Sequence, residues 1–334
     1  MQGTHPTRSL RSTTRSATLG ALAALTLLLL GATPALAAQP AGKGHNPPSS
    51  GSPSTGAGND IGYPQCGGTL PTAQTFGIVG VNDGLANNLN PCLGPDGGGY
   101  KTSELYWATT STGSNTGSQP QAALYVNTAD PGSTYHHQRI TDWPTAGTYS
   151  VDPYSDSSSQ AGYCNGGNTQ ACAWEYGYAK AHQDGQWLTA EANAVNNSLS
   201  QAKLAAIPTS PAAYPWWLDI ETGNTWQSGS SGQLMNVADI QGMLAGLAAA
   251  GAGTSTSSIG IYSTSSQWGT IVGTQNAATL GSLVGLPDWI PGASSLTGAQ
   301  TSCSLPTFTS GKVAVTQWFG SPYDGDWSCS ASPS

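Results

Sequence analysis

The 334-residue chain is short of charge: lysine, arginine, aspartate and glutamate together make up 8% of it, against about 25% in a typical soluble domain. Serine, threonine, asparagine, glutamine and glycine must therefore supply the polar surface. Basic residues are scarcest, with nine Lys and Arg against seventeen Asp and Glu. Three of the nine, Arg8, Arg11 and Arg15, precede residue 38 and no acidic residue does, so the remainder carries a formal net charge of −11. Without a positive stripe to neutralise phosphates, nucleic-acid binding is excluded as an expectation. No Gly-x-Gly-x-x-Gly turn follows the first apolar strand-like run, which removes the signal for dinucleotide binding. The histidines of the domain, His136, His137 and His182, show no metal-ligand spacing, and a catalytic zinc site or a histidine-based triad is left without support. No cofactor is implied.

What is present begins with an export signal over residues 1–38. A basic region runs to Arg15, an apolar run from Leu19 to Leu30, and Ala35-Leu36-Ala37 precedes Ala38, the three parts of a secretory leader. The apolar run is shorter than the roughly 20 residues a bilayer requires, so cleavage after Ala37 or Ala38 is expected, with no membrane partner afterwards. Residues 39–62 are Pro, Gly, Ser and Asn with almost no large apolar side chain, a composition that cannot offset the entropy of ordering it. A flexible tether is expected there, followed by one domain over residues 63–334. The six cysteines, Cys66, Cys92, Cys164, Cys172, Cys303 and Cys329, form an even set in an exported chain and point to disulfides. Closeness along the chain favours 66 with 92, 164 with 172 and 303 with 329.

Within the domain, strand-length apolar runs alternate with longer segments of helical period, the pattern of parallel strands joined by helices. Strands are expected at Phe76 to Asn82, Ala122 to Asn127, around Trp216 to Ile220, Ile259 to Tyr262, Trp289-Ile290 and Val313 to Trp318. Helices are expected at Ser103 to Thr110, Ala171 to Ala181, Leu188 to Leu204, Ala238 to Ala250 and Ser266 to Val272, with a break near Asp184-Gly185. Such alternation over about 270 residues fits a closed barrel or an open doubly wound sheet. The barrel is favoured because Asn82, Asn127, Asp219, Glu221, Tyr262, Gln317 and Trp318 all fall at carboxyl ends of strands, the face where such barrels carry their sites.

The sharpest chemical signal is Asp219-Ile220-Glu221 after Trp216-Trp217-Leu218. Alternation across a strand puts Trp217, Asp219 and Glu221 on one face and Trp216, Leu218 and Ile220 on the other. With the apolar trio against the helices, two carboxylates and an indole converge on the barrel mouth. Two acids that close repel when ionised, and burial beside tryptophan penalises charge further, so one is expected to keep its proton near neutral pH. Glycosidic cleavage needs such a pair: one group protonates the departing oxygen, the other stabilises or attacks the anomeric centre. An isolated Asp-x-Glu can equally cap the segment after it. Trp217, Trp226, Trp268, Trp289, Trp318 and Trp327 are candidates for stacking on sugar rings, with Trp217 and Trp318 foremost, or else they pack in the core. Glu104, Glu175 and Glu191 read as solvated helix positions, and His136 or His137 could assist at the mouth if their loop folds over it.

Gly80-Val81-Asn82, Leu218-Asp219-Ile220-Glu221, Ile259-Gly260-Ile261-Tyr262-Ser263, Trp289-Ile290-Pro291-Gly292-Ala293 and Thr316-Gln317-Trp318, with Asp324 and Asp326 beyond, resemble the ordered landmarks of glycoside hydrolase family 25. The block from Pro215 to Trp226 more closely resembles a group of secreted bacterial proteins described only as glycoside-hydrolase-like. The resemblance implies an α/β fold, a single irregular (β/α) TIM-type barrel, with lysozyme-type muramidase activity. It implies Glu221 as general acid, Asp219 as the carboxylate that steadies developing charge or an acetamido group, and Asp326, with Asp324 as the alternative, as the acid after the final strand. Tyr262 and Gln317 would line the sugar subsite. One departure stands out: where the family has a first-strand aspartate, this chain has Asn82, and the adjoining Asp83 points to the opposite face unless the strand has ended by then.

The expectation is thus a secreted or cell-wall-associated monomer, stapled by disulfides, that hydrolyses a polysaccharide, with peptidoglycan the leading substrate class. Its rivals are a catalytically degenerate barrel that binds cell-wall glycan, and an exported surface protein that docks another protein. The acidic balance disfavours anionic wall polymers.

Overall fold

Eight short strands close into a barrel in chain order. The computed structural model describes residues 56–84, 86–112, 121–133, 142–154, 163–253 and 258–329. The expected export signal, most of the tether, and His136 and His137 lie outside the described residues. The strands are β1 (Ala57–Ile61), β2 (Phe76–Gly80), β3 (Ala122–Asn127), β4 (Trp216–Asp219), β5 (Ile259–Tyr262), β6 (Asp288–Ala293), β7 (Val313–Trp318) and β8 (Gly325–Ser328). Neighbours from β1 to β7 pair in parallel, whereas β8 runs antiparallel to both β7 and β1 and closes the circle. The architecture is therefore a mixed α/β barrel whose last strand departs from a purely parallel (β/α) repeat.

Regular structure begins earlier than composition suggests. Residues 57–61 lie inside the expected flexible stretch yet form β1, registered against β2 and β8. Sequence pattern misses this strand because Ala-Gly-Asn-Asp-Ile has a single large apolar residue. Ile61 faces the outer core, while Gly58 leaves room on the inner face for the Phe76 ring.

Period-2 alternation then sorts the remaining strands. Val79, Leu124, Trp216, Leu218, Ile220 and Ile261 face outward and pack with helix residues such as Leu188, Val195, Ile240 and Leu247. Phe76, Ile78, Ala123, Trp217, Trp289 and Val315 fill the interior. The Trp217 indole fits there because residue 260 is glycine: a Cβ at that position would lie 2.3 Å from Trp217 Cζ3.

The helices are α1 (Glu104–Thr109), α2 (Gln170–Gln201), α3 (Gly229–Ala249), α4 (Ser265–Ile271), α5 (Ala277–Leu280) and α6 (Leu296–Ser302). Ser103, Thr169, Thr264 and Ser295 cap α1, α2, α4 and α6 with side-chain oxygens that accept backbone N–H groups, as such residues do at helix starts. The two helices expected on either side of Asp184-Gly185 are one, α2. A mid-helix glycine costs about 1 kcal/mol against alanine, and here it has a packing reason, since a Cβ on Gly185 would meet that of Ala250 at 2.4 Å.

Glu104 and Glu175 are not solvated, being 1% and 2% exposed. Asn90 donates to Glu104, and the backbone N–H groups of Thr148 and Tyr149 donate to Glu175. The disulfides are Cys66–Cys92, Cys164–Cys172 and Cys303–Cys329, the pairing that chain proximity favours. Among the described residues, no helix is long and apolar enough to cross a membrane.

Candidate active site

The parallel strands deliver polar side chains to their carboxyl ends, where a cleft of about 240 Å³ opens. β4 contributes Asp219 and, just beyond it, Glu221; β1 contributes Asp60; β3 contributes Tyr125 and Asn127. Tyr262 from β5, Trp289 from β6, Gln317 from β7 and Asp324 before β8 complete the wall, with Tyr63, Pro64 and Gly84 at its edge. A wider hollow of about 350 Å³ lies beside α1, but its charged groups are only Lys101 and Glu104, and Glu104 is already bonded to Asn90.

Hydrogen bonds across the floor share one direction. The Tyr262 hydroxyl donates to Gln317 Oε1 at 2.9 Å, and Gln317 Nε2 donates to Asp60 Oδ2 at 2.8 Å. From the other side, Trp289 Nε1 donates to Asp326 Oδ1 at 3.0 Å. Asp326 lies beside Asp60, with its other oxygen, Oδ2, buried and without a partner. Asp60 is the acceptor at which the chain from Tyr262 through Gln317 ends.

Burial dominates the electrostatics. It pushes Asp219 well above the usual carboxylate range, aided by the nearby charges of Glu221 and Asp60. Glu221 is raised by burial and partly restored by a hydrogen bond with Gln267. Asp60 is raised to about 6, burial outweighing its bond from Gln317. Asp326 is held well above its ordinary value by burial and then by the Asp60 charge. Acids with such displaced affinities in a cleft are suited to holding and releasing protons near neutral pH.

The structure brings together Asp219, Glu221, Tyr262, Gln317 and Asp324 at the cleft, with Asp326 beneath Asp60. Three other expected residues lie elsewhere. Trp217 faces inward as alternation requires, yet it lies below the floor, 2% exposed and edge-on to Trp289 at 5.8 Å. Trp318 points out of the barrel because Gln317 points in; it packs with Ala299, Trp327 and the Cys303–Cys329 bridge. Asn82 is 1% exposed and ties β2 to β3: its Oδ1 accepts the backbone and side-chain N–H groups of Asn127 at 2.8 and 3.0 Å, and its Nδ2 donates to the Asn127 carbonyl.

Phe76 opens the second strand, and the first, β1, carries Asp60 into the cleft. Asn127, expected at the carboxyl-end face, lines the cleft, whereas sequence reasoning missed Asp60 and Tyr125. The available signal for Asp60 was Asp-Ile-Gly directly before Tyr-Pro-Gln-Cys, since a cysteine tied to the domain implies ordered chain just ahead of it.

No protein-family model matches the sequence. No curated protein matches it. Among solved structures, the chain is similar to a muramidase from Trichobolus zukalii, with 14% identity, 81% of this chain and 92% of that chain covered, and a TM-score of 0.39. It is also similar to the bacterial lysozyme from Streptomyces coelicolor, with 15% identity, 82% and 92% coverage, and a TM-score of 0.38.

Proposed function

We propose that the protein is a secreted or cell-wall-associated glycoside hydrolase that acts on a polysaccharide, peptidoglycan being the leading substrate class. One observation carries this reading: Asp219, Glu221 and Asp60 share an open cleft with the Trp289 and Tyr262 rings, and burial raises the proton affinity of all three acids. Glu221, the more accessible of the β4 pair, is the general acid and protonates the glycosidic oxygen as the bond breaks. Asp219 is the carboxylate beside the anomeric centre, where oxocarbenium-like charge develops. Asp60 holds negative charge at the floor and disfavours ionisation of Asp219 and Glu221 together. Tyr262, half-buried in the cleft wall, presents ring surface to a sugar. Export is supported by the leader and by three disulfides, which persist in oxidising compartments.

The rival reading is a barrel that binds cell-wall glycan without cleaving it. The test is release of reducing ends from peptidoglycan and from chitin-like oligomers by the wild type and by Glu221→Gln. Loss of a general acid costs about 10²- to 10⁴-fold in rate. Unchanged activity in the variant would eliminate Glu221 as the acid, and an inert wild type on all glycans would leave only binding.

A further inference from the structure

We propose that the subsite between Asp60 and Asp219 takes a sugar bearing a free, protonated amine, so that the preferred substrate is a glucosamine-type, de-N-acetylated glycan. This rests on the cleft being a glycan site and goes further in naming the group it selects.

The first support is the sign of the wall. Asp60, Asp219, Glu221 and Asp324 line it, and no described Lys, Arg or His does. Lys101 lies at the hollow beside α1, and Lys180 is paired with Asp142 at 2.7 Å. A sugar carboxylate entering this cleft would meet only like charge.

The second support is an acceptor without a donor. Asp219 is 7% exposed and lines the cleft, and its Oδ1 is buried with no hydrogen-bond partner. A buried carboxylate oxygen left unpaired is costly, and a charged donor relieves the most.

The third support is the direction of the network. Tyr262 donates to Gln317, Gln317 to Asp60, and the Asn127 amide to Asn82. The Tyr262 hydroxyl and one N–H of each amide are thereby committed to the protein. An acetamido carbonyl brings another acceptor, whereas an ammonium brings three donors and no acceptor. Placed between Asp60 and Asp219, it also offsets the repulsion that each carboxylate exerts on the other. Glu221, outside that pair, stays free to act as the acid.

The test measures calorimetric binding of a glucosamine tetramer and an N-acetylglucosamine tetramer to full-length Glu221→Gln protein, at low and high salt. The free-amine oligomer should bind about tenfold tighter or more, the fold-change of one charge-assisted hydrogen bond. That preference should shrink with added salt and on adding Asp60→Asn. Equal or tighter binding of the acetylated oligomer, or no binding of either, overturns the inference. Wild-type hydrolysis of the same oligomers separates the two proposals. Cleavage with acetyl preference sinks this one alone, and amine-selective binding without cleavage of any glycan sinks the hydrolase reading alone.

Discussion

Trp289 and Asp326 are joined by a hydrogen bond from indole Nε1 to carboxyl Oδ1 at 3.0 Å. The indole stands edge-on to Tyr125, Trp217 and Tyr262, so one side chain both faces the cleft and holds the acid beneath it. Trp289→Phe keeps most of the ring and removes the donor. A buried acceptor left without its donor costs about 1–3 kcal/mol. A drop of that size is expected in urea denaturation, together with reduced turnover. An unchanged denaturation midpoint would show that Asp326 does not depend on the indole.

Asp60 should matter as much as the acids visible in the sequence. Asp60→Asn leaves Gln317 Nε2 an oxygen to donate to but removes the charge at the floor. Activity is expected to fall by at least about tenfold, within the range that general acid–base groups contribute, with the circular dichroism spectrum unchanged. Full activity would return Asp60 to a purely structural role.

Stability should fall as pH rises through the weakly acidic range, the reverse of the common behaviour of paired carboxylates. Folded-state affinities are raised to about 6 for Asp60 and Asp288 and to about 7 for Glu104 and Asp130, burial being the leading cause in each. Between the unfolded carboxyl range near 4 and these values, the native state binds more protons than the unfolded chain, so the slope of stability against pH is negative. The urea midpoint should be higher near pH 5 than near pH 7.5. A midpoint that climbs over that interval would mean these groups are not the ones governing linkage.

The Cys303–Cys329 bridge encloses 26 residues of sequence separation and fastens β8 to the end of α6. Replacing both cysteines with serine is expected to cost about 3 kcal/mol by loop entropy. Because β8 carries Asp326, activity should become more sensitive to heat than the rest of the fold. Hydrogen exchange would locate the loosening in β8 and β1.

Gly260→Ala should destabilise by about 1–3 kcal/mol, the range for overpacking a filled interior, since its Cβ would press on Trp217. Thermal denaturation checks this.

Much of the barrel was legible because its strands obey simple alternation. β3, β5 and β7 carry enough branched and aromatic residues to mark both ends, and the outward Trp216-Leu218-Ile220 trio fixed which way Asp219 and Glu221 face. β1 was illegible for the opposite reason: neighbouring side chains fill its inner face, so it needs glycine where a pattern search wants leucine. β8, with Gly-Asp-Trp-Ser, hides similarly. Trp318 was misplaced by treating adjacent residues as sharing a face, which a period of two forbids once Gln317 points inward. Glu104 and Glu175 were misjudged because their burial depends on Asn90 and on the Thr148-Tyr149 backbone, partners that local pattern does not reveal.

The antiparallel closure by β8 sets an order of events during synthesis. Asp60 is made early and waits through more than two hundred and fifty residues for Asp326, because Gly58 and Asp326 become neighbours only when the last strand docks. Until then the cavity floor lacks its innermost acid and the ring stays open. The two acids at the floor thus meet through the pairing of the barrel's first and last strands.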